Sequence, residues 1–163
     1  MQKGNQLSDI NWHNRADMAQ KALNDFYWNE KTRLFENSYP YHQEKCDRFH
    51  YWWQAHAVDV LVDGLDRTGD PVYKDRIAEL YEGILERNQG VFPNDFYDDM
   101  EWMALAFLRA FGATGELKYK SAALELWEDI KTGWNDIMGG GIAWRKPQLD
   151  YNMHRPTVRL LNN

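Results

Sequence analysis

An internal repeat, offset by 46 residues (position 68 to position 114), constrains this sequence more than any other feature. The turn Thr68-Gly69-Asp70 returns as Thr114-Gly115-Glu116, and each turn joins two segments of helical periodicity. Repeated units of this size bury their apolar faces only against their neighbours. The repeat therefore predicts an all-α fold of stacked helical hairpins. Other pairs at this offset are Tyr51 and Tyr97, Tyr73 and Tyr119, Lys74 and Lys120, Glu79 and Glu125, Leu80 and Leu126, Glu82 and Glu128, and Ile84 and Ile130.

Each hairpin has one aromatic helix and one charged helix. The first is rich in Trp, Tyr, His and Asp, whereas the second carries Lys and Glu on one side. This asymmetry favours a curved or closed α/α array whose aromatic helices face a cleft. The predicted helices cover residues 9–26, 50–67, 71–87, 96–111 and about 117–131, with Ser8 or Asp9 available to cap the first.

Two segments lack a helical period. Residues 27–49 predict a long ordered loop with a short strand near Arg33-Leu34-Phe35. Gly139-Gly140-Gly141 precedes a second short strand, Ile142-Ala143-Trp144. The glycines permit a close approach of the backbone to a ligand, or they form a flexible turn into that strand. No P-loop or dinucleotide pattern accompanies them.

Composition excludes several classes of function. A length of 163 residues with 44% apolar content suits one domain with a real core. A net charge of −6 argues against nucleic acid as a partner, and no apolar run approaches the length of a membrane span. The lone Cys46 excludes an internal disulfide, and the five histidines show no metal-type spacing. No metal or cofactor is expected.

Two adjacent carboxylates, Asp98 and Asp99, stand at the predicted start of a helix with aromatic residues on both sides. Aspartates commonly occur at helix N-termini because they cap free N–H groups and favour the positive end of the helix dipole. A glycosidase also needs two carboxyls, one at the anomeric carbon and one to protonate the leaving oxygen. The aromatic content of 15% favours the second interpretation, since such rings cover the apolar faces of sugars.

The sequence around this pair resembles glycoside hydrolase family 76, the endo-α-1,6-mannanases of the (α/α)6-barrel class. The resemblance covers about residues 9–151 and implies that Asp98 is the nucleophile and Asp99 the general acid/base of a retaining mechanism. It implies α-mannan as substrate and a periplasmic, surface or secreted setting. The matching segments are Phe26-Tyr27-Trp28, Tyr51-Trp52-Trp53-Gln54-Ala55-His56-Ala57, Thr68-Gly69-Asp70, Tyr97-Asp98-Asp99 with Trp102, Ala104, Leu105 and Arg109, and Trp134-Asn135-Asp136 leading to Gly139–Trp144.

Seven further residues are candidates for substrate binding. Helix geometry places Trp52 and Trp53 about 100° apart, so one of them is expected in the core. For each aromatic residue, the alternative is packing in the hydrophobic core. For His56, the alternative is a histidine in the core whose hydrogen bonds are made there. The candidates are Trp52, Trp53, Tyr97, Trp102 and Trp144 for sugar stacking, and Gln54 and His56 for hydrogen bonding.

The chain is predicted to hold about half of an (α/α)6 barrel, because six hairpins need about twice this length. Residues 1–152 form the partial barrel domain, whereas 153–163 lack a helical period. Adding one base before the Met153 codon permits a tail closer to the family pattern, so a frameshift is the hypothesis for 153–163. An incomplete barrel exposes apolar surface at an open edge, which predicts poor solubility or self-association.

The sequence therefore predicts a retaining endo-α-1,6-mannanase domain that uses water as cosubstrate, although activity of this chain alone is in doubt. Another α/α-barrel glycosidase or a sugar epimerase is the alternative among enzymes. A non-catalytic helical-repeat module that binds glycans or proteins is the alternative from another class.

Overall fold

The computed structural model describes residues 11–152. Helix α1 spans Trp12–Tyr27, and its N-cap is Asn11, whose side chain accepts from the N–H of Asn14. The predicted caps Ser8 and Asp9 and the predicted frameshifted tail at 153–163 lie outside the described residues. A short antiparallel hairpin follows, with β1 at Trp28–Asn29 and β2 at Leu34–Phe35, and then a one-turn helix α2 at Gln43–Cys46. The strand β2 was predicted, but β1 and α2 were not.

Two helical hairpins make up the body of the molecule. Helices α3 (Tyr51–Thr68) and α4 (Pro71–Arg87) form the first, and α5 (Tyr97–Thr114) and α6 (Leu117–Ile130) form the second. The starts of α3 and α5 and of α4 and α6 are offset by the interval that the sequence repeat requires. The predicted repeat of helical hairpins is therefore confirmed.

The turns within the two hairpins have the same construction. Gly69 and Gly115 adopt left-handed backbone conformations with φ of 68° and 74°. Their N–H groups donate to the carbonyls of Leu65 and Phe111, one helical turn back. Glycine suits this position because it has no Cβ to clash at positive φ. Equivalent threonine hydroxyls, at 68 and 114, donate to the carbonyls of residues 64 and 110.

Helices α3 and α5 pack side by side, and each also packs on its own partner, α4 or α6. We call α3 and α5 the inner helices. Their buried side chains recur with a helical period, at 51, 54/55, 58 and 61/62 in α3 and at 97, 100, 103 and 106/107 in α5. A cluster of rings from α4, α5, α6 and the loop at residue 92 fills the space between the hairpins. Its members are Tyr81, Phe92, Phe107 and Tyr119.

A three-stranded antiparallel sheet follows α6, with β3 at Trp134–Asn135, β4 at Gly141–Arg145 and β5 at Gln148–Asn152. The predicted strand at 142–144 lies within β4. Gly139 and Gly140 have φ of 95° and 90°, so the triple glycine forms a turn into this strand. Within the described residues, no helix has the length and hydropathy needed to cross a bilayer.

Several large apolar side chains are exposed on α1 and on the inner face of α5. They belong to Trp12, Met18 and Phe26 and to Trp102, Leu105 and Leu108. Surfaces of this kind favour association. Self-association through an open barrel edge stays a prediction.

Candidate active site

A cleft of about 600 Å³ lies at the end of the molecule where α3 and α5 begin. The repeat brings these two N-termini together because it places equivalent helices side by side. The loops that lead into both helices and strand β4 complete the walls. The lining residues are Arg48, Phe49, His50, Tyr51, Trp52, Asn88, Asn94, Asp95, Phe96, Asp98, Asp99 and Trp144.

Both predicted acids line the cleft because they lie off the buried face of α5. Tyr97 and Met100 take the buried positions of this turn, so residues 98 and 99 point elsewhere. The N-cap of α5 is Phe96, which makes no side-chain capping bond. Asp98 does accept from the N–H of Asp99 at 3.0 Å, so the pair also satisfies one amide of the first helical turn. The capping interpretation therefore explains only part of the arrangement.

Each oxygen of Asp98 accepts a hydrogen bond. Oδ1 accepts from the backbone of Asp99, and Oδ2 accepts from Nε1 of Trp144 at 3.2 Å. Two N–H donors fix the orientation of this carboxylate, and it also lies at the positive end of the helix dipole. Such surroundings suit a carboxylate that acts in its ionised form.

Asp99 has different surroundings. Burial, and then the charge of Asp98, raise its pKa to about 6, while a hydrogen bond with the Asn94 side chain opposes the shift. Both causes disfavour the ionised form of a carboxyl. Asp99 therefore retains a proton under mildly acidic conditions beside an acid held by two donors. A carboxyl with a raised pKa next to a second, hydrogen-bonded carboxyl is the usual arrangement of an acid and a nucleophile.

Trp144 belongs to strand β4, which follows the second helical hairpin in the sequence. An isolated antiparallel β-bridge pairs the backbones of Phe96 and Arg145, and the N–H of Lys146 donates to the carbonyl of Asp95 at 2.9 Å. These contacts attach the strand to the loop before α5. The rings of Phe96 and Trp144 meet edge to face at 5.5 Å. The triple-glycine turn therefore directs the chain back over the acid pair.

Aromatic side chains continue from the cleft along α3 and α5. Trp52 and Trp53 are 42% and 38% exposed, so the prediction that one of them packs in the core is wrong. The buried positions of this turn belong to Tyr51 and Gln54 instead. Trp52 lines the cleft, and a chain of ring contacts extends from it. These contacts join His50 to Trp53, Trp53 to Trp52, Trp52 to His56, and His56 to Trp102.

The structure contradicts two of the predicted substrate contacts, Gln54 and Tyr97. Gln54 is 3% exposed, and its amide accepts from the N–H of Phe35 at 3.1 Å and donates to the carbonyl of Phe35 at 2.8 Å. Tyr97 is 2% exposed, and its hydroxyl lies 3.2 Å from Oγ1 of Thr132. Both occupy buried positions of their helices and support the site from behind.

Replacing Gln54 with methionine tests this structural role. Met100 occupies the equivalent position of the second repeat, so methionine suits the helix. The change leaves the N–H and carbonyl of Phe35 without their partner, and we expect a loss of about 2 kcal/mol in the free energy of unfolding. Urea denaturation measures it, with the exposed Gln43→Met as control. Equal stability of the two variants would contradict the assignment.

Sequence reasoning missed Asn94 and Glu101. Asn94 accepts from the N–H of Phe96 at 2.7 Å and bonds to Asp99, and its position three residues before a helix was the available signal. Glu101 is a third carboxyl on α5 and lies within one helical turn of the acid pair. Within residues 11–152, no group of three or more His, Cys, Asp or Glu side chains is arranged to hold a metal ion.

Comparison with known proteins decides the family. Residues 11–155 match the model of Glycosyl hydrolase family 76. The chain belongs to this family. Family 76 membership confirms the predicted α/α-barrel class, and the described hairpins form part of such a barrel. A search of curated proteins gives no significant match.

Solved structures also align closely with the chain. The Lin0763 protein from Listeria innocua is 42% identical with a TM-score of 0.79, over 86% of this chain and 42% of that chain. The GH76A α-1,6-mannanase from Salegentibacter sp. HEL1_6 is 41% identical with a TM-score of 0.75, over 82% and 38%.

An inactive variant of that mannanase, with two consecutive aspartates changed to asparagine, was solved with α-1,6-mannotriose. It is 38% identical to this chain with a TM-score of 0.78, over 85% of this chain and 39% of that one. The chain thus spans about two fifths of the length of these three structures.

Proposed function

We propose that the barrel domain to which this chain contributes is a retaining endo-hydrolase of α-1,6-mannan. The observation that carries the proposal is the adjacent pair Asp98 and Asp99 in one cleft, with one carboxyl held by two N–H donors and the other half-buried with a raised pKa. The family 76 relative that is inactive when two consecutive aspartates are replaced, and that was solved with mannotriose, supports the same assignment.

The two carboxyls would divide the chemistry of a double displacement. Asp98 attacks the anomeric carbon and forms a glycosyl ester, while Asp99 gives its proton to the departing glycosidic oxygen. Asp99 then takes a proton from water, whose oxygen attacks the anomeric carbon and releases Asp98 as carboxylate. Water is the only cosubstrate that this sequence of steps requires.

Aromatic side chains would hold the sugar rings on either side of the scissile bond. Trp52 and Trp144 line the cleft with the acid pair, and Trp53, His56 and Trp102 extend the aromatic surface along the inner helices. Rings with a polar edge suit mannose, which has an apolar face and many hydroxyls. An extended surface of this kind fits a polymer.

Hydrolysis of linear α-1,6-mannan tests the proposal. The assay uses this chain, with the α-1,6-mannanase of Salegentibacter sp. HEL1_6 as the positive control. We expect shorter mannooligosaccharides whose new reducing ends retain the α configuration in NMR spectra. Inverted products would indicate another type of glycosidase, and binding of mannan without cleavage would indicate a binding module.

Hydrolysis should decline as the pH rises through about 6. The raised pKa of Asp99, due first to burial and then to Asp98, means that the protonated acid predominates below this pH and is lost above it. A profile of kcat/KM from pH 4 to 9 measures the effect. A rate that stays constant up to pH 9 would contradict the role of Asp99 as the proton donor.

A further inference from the structure

Glu101 is a half-buried carboxyl that the double displacement does not use. It lies three residues after Asp98 on α5, which places the two side chains on the same side of the helix, one turn apart. Its Oε1 is buried and has no hydrogen-bond partner among the described residues. A carboxylate in such surroundings is costly, whereas the neutral acid costs much less.

The repeat shows that the fold does not require a carboxyl at this position. The equivalent residue of the first hairpin is Ala55, which is 0% exposed. A methyl group therefore satisfies the packing between an inner helix and its neighbours at this point. Glu101 replaces it in the hairpin that also carries Asp98 and Asp99, so the acidic group accompanies the site.

We propose that Glu101 is a positioning residue for the acid pair. It keeps its proton while the enzyme turns over, so that these three carboxyls carry one negative charge, on Asp98. Ionisation of Glu101 would place a second negative charge one helical turn from Asp98, and repulsion between the two carboxylates would shift Asp98 away from its donors, Trp144 and the N–H of Asp99, and out of line for attack. This inference rests on the proposed hydrolase function.

Cations near α5 do not neutralise Glu101 in the described part of the chain. On α5 itself, Arg109 pairs with Asp59 and Asp63 of α3. Lys146 after β4 pairs with Asp129 of α6. The elements packed against α5 carry further charged and titratable groups: Tyr51, His56, Asp59, Asp63, Asp66 and Arg67 on α3, Lys118, Tyr119, Lys120, Glu125, Glu128 and Asp129 on α6, and Arg145 and Lys146 at and after the end of β4, where Arg145 donates to Gln148.

The order of ionisation follows from the two environments. Burial, and then the charge of Asp98, raise the pKa of Glu101 to about 7, whereas that of Asp99 rises to about 6. As the pH increases, Asp99 therefore loses its proton first and Glu101 follows. Each loss inactivates the site, so the alkaline side of the pH profile should contain two steps.

Carboxyl titration by NMR on the full chain tests the inference without any hydrolysis. With 13C-labelled Asp and Glu, we expect Glu101 to titrate near neutral pH and Asp98 to show an inflection at the same pH. That inflection should vanish in Glu101→Gln. Titration of Glu101 at the ordinary value of about 4.3, or an Asp98 signal that Glu101→Gln leaves unchanged, would overturn the proposal.

Hydrolysis of α-1,6-mannan by this chain supplies the second measurement. Relative to its rate at pH 5, Glu101→Gln should exceed the native sequence by about tenfold at pH 8, since the glutamine cannot ionise. Glu44→Gln, an exposed exchange of the same kind, should match the native profile. Glu101→Ala, which reproduces the packing of Ala55, provides a second variant should glutamine disturb folding.

The two measurements separate this inference from the proposed function. Coupled titration of Glu101 and Asp98 without any hydrolysis would contradict the hydrolase proposal but support the carboxyl cluster. Hydrolysis with the native alkaline slope in Glu101→Gln would support the hydrolase and contradict the role of Glu101.

Discussion

Asp98→Asn is expected to lower mannan hydrolysis by this chain by about four orders of magnitude, the scale of loss when a catalytic carboxyl is removed. An amide cannot attack the anomeric carbon as a carboxylate does, so the glycosyl ester does not form. The shape of the side chain hardly changes, and Trp52 and Trp144 are untouched. Affinity for α-1,6-mannotriose should therefore stay close to that of the native sequence.

Calorimetry and an assay of reducing ends measure these two quantities separately. Asparagine has one acceptor oxygen where Asp98 accepts from both Trp144 and Asp99, so one N–H loses its partner. Thermal unfolding of the variant therefore belongs in the experiment. Asp75→Asn on the exposed side of α4 is the matched control. Unchanged hydrolysis in Asp98→Asn would exclude this residue as the nucleophile.

Gly83→Ala is expected to lower the free energy of unfolding by about 3 kcal/mol. Gly83 lies in the middle of α4 where the backbone of the β1–β2 hairpin crosses the helix. A Cβ built there would lie 2.3 Å from the carbonyl oxygen of Arg33 and 2.8 Å from that of Thr32. These are backbone atoms, so the hairpin or the helix must move.

Gly112→Ala on α5 is the matched control for this effect. A Cβ at Gly112 meets no atom within 4 Å, and alanine is the better helix former. We expect a gain of up to about 1 kcal/mol from that change. Urea denaturation of the two variants gives the comparison. A similar change of stability in both would show that α4 and the hairpin are not in close contact.

The helices, the repeat and the acid pair were predictable from sequence because their signals are local or periodic. The helical periodicity of the apolar residues predicted helices α3 to α6, and the residues in the turns between them predicted where these helices end. The prediction for β2 also held, since Leu34 and Phe35 form a short apolar run. The position of Asp98 and Asp99 at the start of α5 followed from the same pattern.

Roles that depend on partners distant in the sequence could not be predicted. Gln54 bonds to Phe35, 19 residues away, and Trp144 donates to Asp98, 46 residues away. Neither pairing produces a periodic pattern in the sequence. Tyr97 seemed from its neighbours to belong to the cleft, but the helix turns it into the core while it turns the next two residues outward. Strand β1 has only two residues and depends on β2 for its pairing.

The two left-handed glycine turns have a practical consequence for handling the molecule. They lie at the C-terminal ends of the inner helices, and an inner helix of 18 residues is about 27 Å long. Nothing occupies the space within 4 Å of a Cβ at Gly69 or Gly115. With Cys46 replaced by serine, a single cysteine introduced at Asp70 or Glu116 would allow attachment to a bead or a sensor surface with the cleft directed into solution.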